Sequence, residues 1–173
     1  MIFDKEDPLI SKKEYQRTFD KALFLLDYAP QTSAGLKDKL IKKDFQEELI
    51  DRVIVELQNL GFLNDREYAH IFGENLITKR YYGRIKVVQK LISRGIHKTM
   101  AREITNELYE KLGEEKVFIL KYLEKKRDRH IKMIKEEQED KIKGRLYRRG
   151  YSLPAIIPSL KEFVSSIETE IDE

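Results

Sequence analysis

The sequence predicts an all-α chain: three tandem three-helix repeats stacked as a curved, elongated solenoid-like rod. Two observations predict it. A seven-residue segment recurs as KLIKKDF (39–45), KLISRGI (90–96) and RLYRRGY (145–151), with Leu40, Leu91 and Leu146 spaced by 51 and then 55 residues. Each copy carries a base, then a turn residue (Asp44, Gly95, Gly150), then a bulky apolar residue (Phe45, Ile96, Tyr151). After each copy, apolar residues fall at helical spacing: Leu49, Ile50, Val53, Ile54 and Leu57; Met100, Ala101, Ile104 and Leu108; Ala155, Ile156, Leu160 and Phe163. Units of this kind bury their faces by stacking on one another. The repeats are read as 11–61, 62–113 and 114–166, after an N-terminal arm at 1–10 and before an acidic tail at 167–173.

In the arm, Ile2, Phe3, Leu9 and Ile10 are apolar residues that can pack on a neighbour. Ser11 opens the first helix, with Glu14 completing a capping box. Tyr15, Phe19, Ala22 and Leu26 share its buried face, and Pro30 stops it. Thr32 or Ser33 caps a second helix through Lys43. A third runs from about Gln46 to Leu60, closed by Gly61.

The second repeat starts at Asn64, an N-cap with Glu67 three residues on. Its first helix buries Tyr68, Ile71, Phe72 and Leu76 and runs to about Tyr81. Gly83 breaks the chain, a helix with Ile85, Val88, Leu91 and Ile92 on its face follows, and a third runs from Lys98 to Lys111, closed by Gly113. In the third repeat nothing breaks the chain between Glu114 and Lys143, so one long first helix is expected. Its apolar face (Val117, Leu120, Leu123, Ile131, Ile134) thins towards EEQED, so its second half projects beyond the core. The next helix ends at Gly150. Ser152 caps the last, Pro154 is tolerated in its first turn, Pro158 kinks or delays it, and residues after Ile167 fray.

Composition narrows function. The chain has 173 residues, 34 basic and 31 acidic, and a net charge of +3. The C-terminal IETEIDE holds four acids and no base, so the first 166 residues carry +7. Without cysteine there are no disulfides or thiolate zinc sites. No apolar run approaches the roughly 20 residues that cross a bilayer, and MIFDKEDP is not a signal peptide; a cytoplasmic protein, expected to be a monomer, is the reading.

No active site is legible. His70, His97 and His130 fall in different parts of the repeat without a second ligand at metal spacing. Phosphate-loop, dinucleotide and nucleophile-elbow motifs are absent. Acid pairs such as Glu47–Glu48 and Glu136–Glu137 read as solvated helix faces. The expectation is a protein that is no enzyme and needs no cofactor and no metal.

The bases say more. Between Ile77 and Lys98 stand Lys79, Arg80, Arg84, Lys86, Lys90, Arg94 and Lys98 without one acid, and Tyr81 and Tyr82 lie among them. A second group is Lys125, Lys126, Arg127 and Arg129; a third is Lys141, Lys143, Arg145, Arg148 and Arg149. If equivalent turns line one side of a stack, their bases form a stripe suited to a polyanion, with tyrosines to stack on unpaired bases. The candidate DNA- or filament-binding residues are Lys79, Arg80, Arg84, Lys86, Lys90, Arg94, Arg145, Arg148 and Arg149.

GFLNDREYA, from Gly61 to Ala69, resembles the Gly-x-Leu-(Asp/Asn)-Asp-x-x-(Tyr/Phe)-Ala signature of the bacterial RecX family, regulatory proteins of the RecA recombinase. The segment from Arg80 through GRIKVVQKLISRGI and the copy RLYRRGY resemble that family's second- and third-repeat segments. The likeness covers roughly residues 20 to 165. It departs in the first repeat, where Gln31 and Gly35 replace a usual Arg and Glu. The resemblance implies a modulator that binds the filament of RecA on single-stranded DNA, lies along its groove, and suppresses ATP hydrolysis and strand exchange by capping or destabilising it. A general nucleic-acid binder reading a duplex through a helix-turn-helix-like pair, and a protein-only scaffold, are the alternatives.

Overall fold

The computed structural model describes residues 12–171, with side chains through Ile167; the arm, the Ser11 cap and the last two residues lie outside the described residues. Ten helices and no strand occur among the described residues. They are α1 (Lys12–Tyr28), α2 (Ser33–Ile41), α3 (Glu47–Asn59), α4 (Asp65–Thr78), α5 (Arg84–Ile92), α6 (Lys98–Leu112), α7 (Glu115–Glu124), α8 (Arg127–Lys135), α9 (Glu139–Arg148) and α10 (Leu153–Ile171). None is long and apolar enough to cross a membrane. The helices form two compact units: Met1–Tyr68 with Arg94–Ile96, and Ala69–Ser93 with His97–Glu173.

In the first unit α1, α2 and α3 pack on one another. Leu49, Ile50, Val53, Ile54 and Leu57 are all buried, as the α3 periodicity requires. Ile50, Val53, Ile54 and Leu57 meet Ala22, Leu36, Leu40 and Leu63, with Tyr15, Phe19, Leu26 and Phe45 packed around them. Thr32 caps α2, its Oγ1 accepting from the Gly35 amide at 3.0 Å. After α3, Gly61 is left-handed (φ 78°). The amides of Phe62 and Leu63 return to Leu57 O at 2.9 and 3.2 Å, closing the helix end. Asn64 then caps α4, Oδ1 accepting from the Arg66 and Glu67 amides at 3.1 Å each.

In the second unit α5 packs on α6, and α10 packs on α7 and α9. The stripe expected on α4 is rotated: Ala69, Gly73, Leu76 and Ile77 are buried, and Ile71 is 59 % exposed. On α5, Val87 and Leu91 are buried while Ile85 and Ile92 are exposed. The cause is close packing of α4, where a Cβ on Gly73 would lie 2.7 Å from Leu108 Cδ1. The expected long helix after Glu114 is three helices, which makes the third repeat four-helical. On a straight helix, Met133 and Ile142 would point about 180° apart at 100° per residue, yet both are buried. Breaks at Lys125–Lys126 and around Glu137 (φ 56°) bring both to the core. His130 takes the carbonyl freed at the first break, Nδ1 lying 2.9 Å from Leu123 O. At the second, the Gln138 amide returns to Met133 O at 2.8 Å. α10 starts at Leu153 and passes through Pro158 without the expected delay, its backbone helical to Ile171.

Candidate nucleic-acid and partner interface

The recurrent turn has one geometry. Asp44, Gly95 and Gly150 are all left-handed, with φ of 61°, 84° and 87°. The amides of Phe45 and Tyr151 return to Leu40 O and Leu146 O at 3.3 Å.

Each of the later two turns docks onto the N-terminus of the middle helix of the repeat before it. In the first unit, Thr32 Oγ1 donates to Arg94 O at 2.6 Å, and a Cβ on Gly95 would lie 2.3 Å from Ala34 Cβ. The Ser33 amide donates to Asp65 Oδ1 at 2.7 Å. In the second unit the joint recurs with other residues. The amides of Gly83 and Ile85 donate to Arg149 O and Gly150 O at 2.9 and 3.2 Å. The Arg84 amide between them donates to Glu115 Oε1 at 2.8 Å. A helix N-terminus has orphan donors and a positive dipole end, and turn carbonyls plus one carboxylate satisfy both. Burial raises the Glu115 pKa above the ordinary carboxylate value, while the Arg84 amide and charge oppose the rise.

Arg149, a candidate DNA contact, is built into this second joint. Its Nε donates to Tyr81 O at 3.0 Å and its Nη2 to Arg80 O. Its guanidinium lies 4.3 Å from the Tyr122 ring centre and 4.9 Å from that of Tyr82. Tyr151 Oη also donates to Tyr81 O, at 3.0 Å. Arg84 is similarly engaged, donating through Nη1 to Asn106 Oδ1 at 2.9 Å and lying 4.4 Å over the Tyr109 ring, whose hydroxyl donates to Tyr82 O. Burial pushes the Tyr109 and Tyr151 hydroxyls well above the ordinary phenol value, so both stay neutral donors. Tyr81 and Tyr82 are half-buried parts of the joint rather than an open stacking platform.

The other candidates are placed differently. Lys79, Arg80, Lys90 and Arg148 are exposed, Lys86 is half-buried, and none of these five lies within salt-bridge distance of an acid among the described residues. Arg145 is half-buried with Nη1 3.3 Å from Met133 Sδ. Arg94 belongs to the first unit, where its carbonyl serves the first joint and its side chain is exposed. The second-unit joint also gathers Lys125, whose Nζ lies 5.5 Å over the Tyr81 ring. The charge count signals Lys125 only as one of a group; its place beside Tyr81 depends on the break after α7.

The histidines divide into three environments. His70 Nε2 lies 3.0 Å from Glu107, His97 caps α6 through Nδ1, and His130 is buried. No cluster of three metal-ligating side chains occurs among the described residues.

The family model for "RecX, first three-helix domain" matches residues 19–57, which span α1 to α3. Over 167 residues the chain is 28 % identical to the regulatory protein RecX of Clostridioides difficile, covering 95 % of this chain and 76 % of that protein. The chain is similar to RecX proteins along most of its length. The RecX of Finegoldia magna is 32 % identical over 111 residues, 63 % of this chain and 54 % of the relative. Against that protein and the RecX proteins of Halalkalibacterium halodurans and Streptococcus sanguinis, the chain spans about half the relative's length. The crystal structure of RecX from Lactobacillus salivarius has the same fold, with a TM-score of 0.77 at 24 % identity over 88 % of this chain and 98 % of that one. The two first-repeat departures from the RecX pattern are locally accommodated. Gln31 Nε2 donates to Ala29 O at 3.0 Å, and Gly35 supplies the amide that Thr32 caps.

Proposed function

We propose that this RecX-like chain is a non-enzymatic regulator of the RecA recombinase. It binds the RecA–single-stranded-DNA filament and suppresses ATP hydrolysis and strand exchange. The observation that carries this reading is the surplus of cations in the second unit without an ion pair among the described residues: Lys79, Arg80, Lys86, Lys90, Lys125 and Arg148. Passive surfaces intersperse both signs; a surface of one sign favours phosphates or an acidic protein face. The second joint sets Lys86 against the turn that carries Arg148, which suits a polyanion. The relatives' name, regulatory protein, supports a role without catalysis.

Arg84 and Arg149 act in this reading as the residues that fix the joint, and the exposed lysines and Arg148 as the contacts. ATP hydrolysis by the cognate RecA on single-stranded DNA, titrated with the chain, is the test. Inhibition at well below one chain per recombinase is expected. No inhibition at excess, with binding to free single-stranded DNA retained, leaves the alternative of a general nucleic-acid-binding protein.

A further inference from the structure

A groove of about 790 Å³ opens in the first unit between α1 and the Lys43–Phe45 turn. Lys13, Arg17 and Lys21 recur every fourth residue along its α1 wall, a rise of about 6 Å between neighbours. Lys43 adds a fourth cation from the turn. None of the four forms an ion pair among the described residues. The single acid of the groove, Asp20, accepts from Gln16 Nε2 at 2.8 Å. Phe24 and Phe45 supply the apolar surface, with Lys21 Nζ 4.4 Å over the first ring and the Arg17 guanidinium 5.7 Å over the second. Phe24 is 61 % exposed, which leaves ring surface open beside Lys21.

The turn on the far wall differs from its two later copies. A Cβ added at Gly95 or Gly150 would lie 2.3 Å from Ala34 Cβ or Lys86 N, at the start of the helix docked on that turn. At the equivalent place Asp44 carries a side chain at φ 61° and is exposed. A helix N-terminus therefore cannot seat here as it does on the other two turns, which sets aside a second copy of this chain docked head to tail.

We propose that this groove binds single-stranded DNA, with phosphates along Lys13, Arg17, Lys21 and Lys43 and an unpaired base stacked on Phe24. The site is separate from the second-unit cations and takes from the reading above only the identity of the strand. A track of cations beside an exposed ring is how single strands are held without sequence preference. A duplex fits less well, because its bases are already stacked on one another and present no face to Phe24. An acidic peptide would meet the same cations, but it has no flat ring faces recurring in step with its charges, as a strand has.

An oligothymidine of about 16 nucleotides, added to the full chain, should shift the backbone amides of Arg17, Lys21, Phe24 and Phe45. Phe24→Ala should weaken its binding by at least about fivefold, while Phe24→Tyr, which keeps a ring, should not. K13Q/K21Q should reduce the slope of log affinity against log salt by about 1.4, at about 0.7 for each single-strand phosphate contact. Groove amides that stay in place while those of Lys79 and Lys90 shift overturn this site and leave the second-unit surface intact. Amides unmoved in both places overturn both. An oligoglutamate that shifts the groove amides as strongly as the oligothymidine, with Phe24→Ala binding each like the native chain, assigns the groove to an acidic protein face and overturns the strand.

Discussion

Replacing Gly150 by alanine tests the second joint at its tightest point. Gly150 has φ 87°, a conformation that costs an L-residue about 1 to 2 kcal/mol. Its new Cβ would sit 2.3 Å from Lys86 N and 2.5 Å from Lys86 Cβ. Backbone cannot yield as a flexible side-chain tip does, so the turn must lift from α5, at an overpacking cost of about 1 to 3 kcal/mol. Lifting also lengthens the Ile85 N–H to Gly150 O bond, 3.2 Å in the intact joint, for about 1 kcal/mol. The total is about 3 to 6 kcal/mol, a large share of a domain's stability. Gly61→Ala is the control, since Gly61 is also left-handed (φ 78°) but has nothing within 4 Å of its Cβ position; it should cost only the backbone part, about 1 to 2 kcal/mol. Urea denaturation gives the difference, and amide exchange at Gly83 and Ile85 shows where it arises. Equal destabilisation by the two substitutions, with those amides still protected, would refute the joint.

Three further outcomes are expected. Arg149→Lys should destabilise the second unit by about 2 to 3 kcal/mol, because an ammonium replaces neither the planar fork on two carbonyls nor the stacking on Tyr82 and Tyr122. Arg148→Ala next to it, exposed, should change urea stability by less than about 0.5 kcal/mol while weakening binding to single-stranded DNA. His130 is buried without a hydrogen-bond partner on Nε2, and burial, reinforced by Arg145, Arg129 and Lys126, lowers its pKa despite the Leu123 carbonyl. Its proton therefore goes to the unfolded chain first. The stability it contributes is complete above about pH 6.5 and is lost as pH falls from there towards the depressed folded value. His130→Phe should flatten that part of the urea midpoint's pH profile, and an unchanged profile would exclude His130 as its source.

Much of the fold was legible because the repeated segment marks the turns and three helices announce their buried faces by spacing. α3, α6 and α10 bury Val53, Ile104 and Phe163 as read. The face of α4 was rotated because a glycine, Gly73, meets Leu108 of α6 and Val87 and Leu91 of α5. Gly73 carries no hydrophobic signal, yet its missing side chain lets Leu108 approach. The breaks after Glu124 and Lys135 involve neither Gly nor Pro; tertiary packing of Met133 and Ile142 overrides local propensity there. The candidate site was legible as a charge excess but not residue by residue. Arg148 and Arg149 are equivalent in composition, yet one faces solvent and the other binds the carbonyls of Arg80 and Tyr81. Only the position of the preceding repeat separates them.

RecA ATP hydrolysis on single-stranded DNA, compared between the native chain and K79E/K90E/K125E, tests the central claim most directly. The three lysines are exposed and carry no fold-determining hydrogen bond among the described residues, so circular dichroism should match. The native chain should inhibit at fewer than one copy per recombinase, and the variant should need at least about tenfold more protein, the equivalent of about 1.4 kcal/mol. Equal inhibition by both chains would contradict the assigned surface, and no inhibition by the native chain at excess would contradict the regulatory role itself.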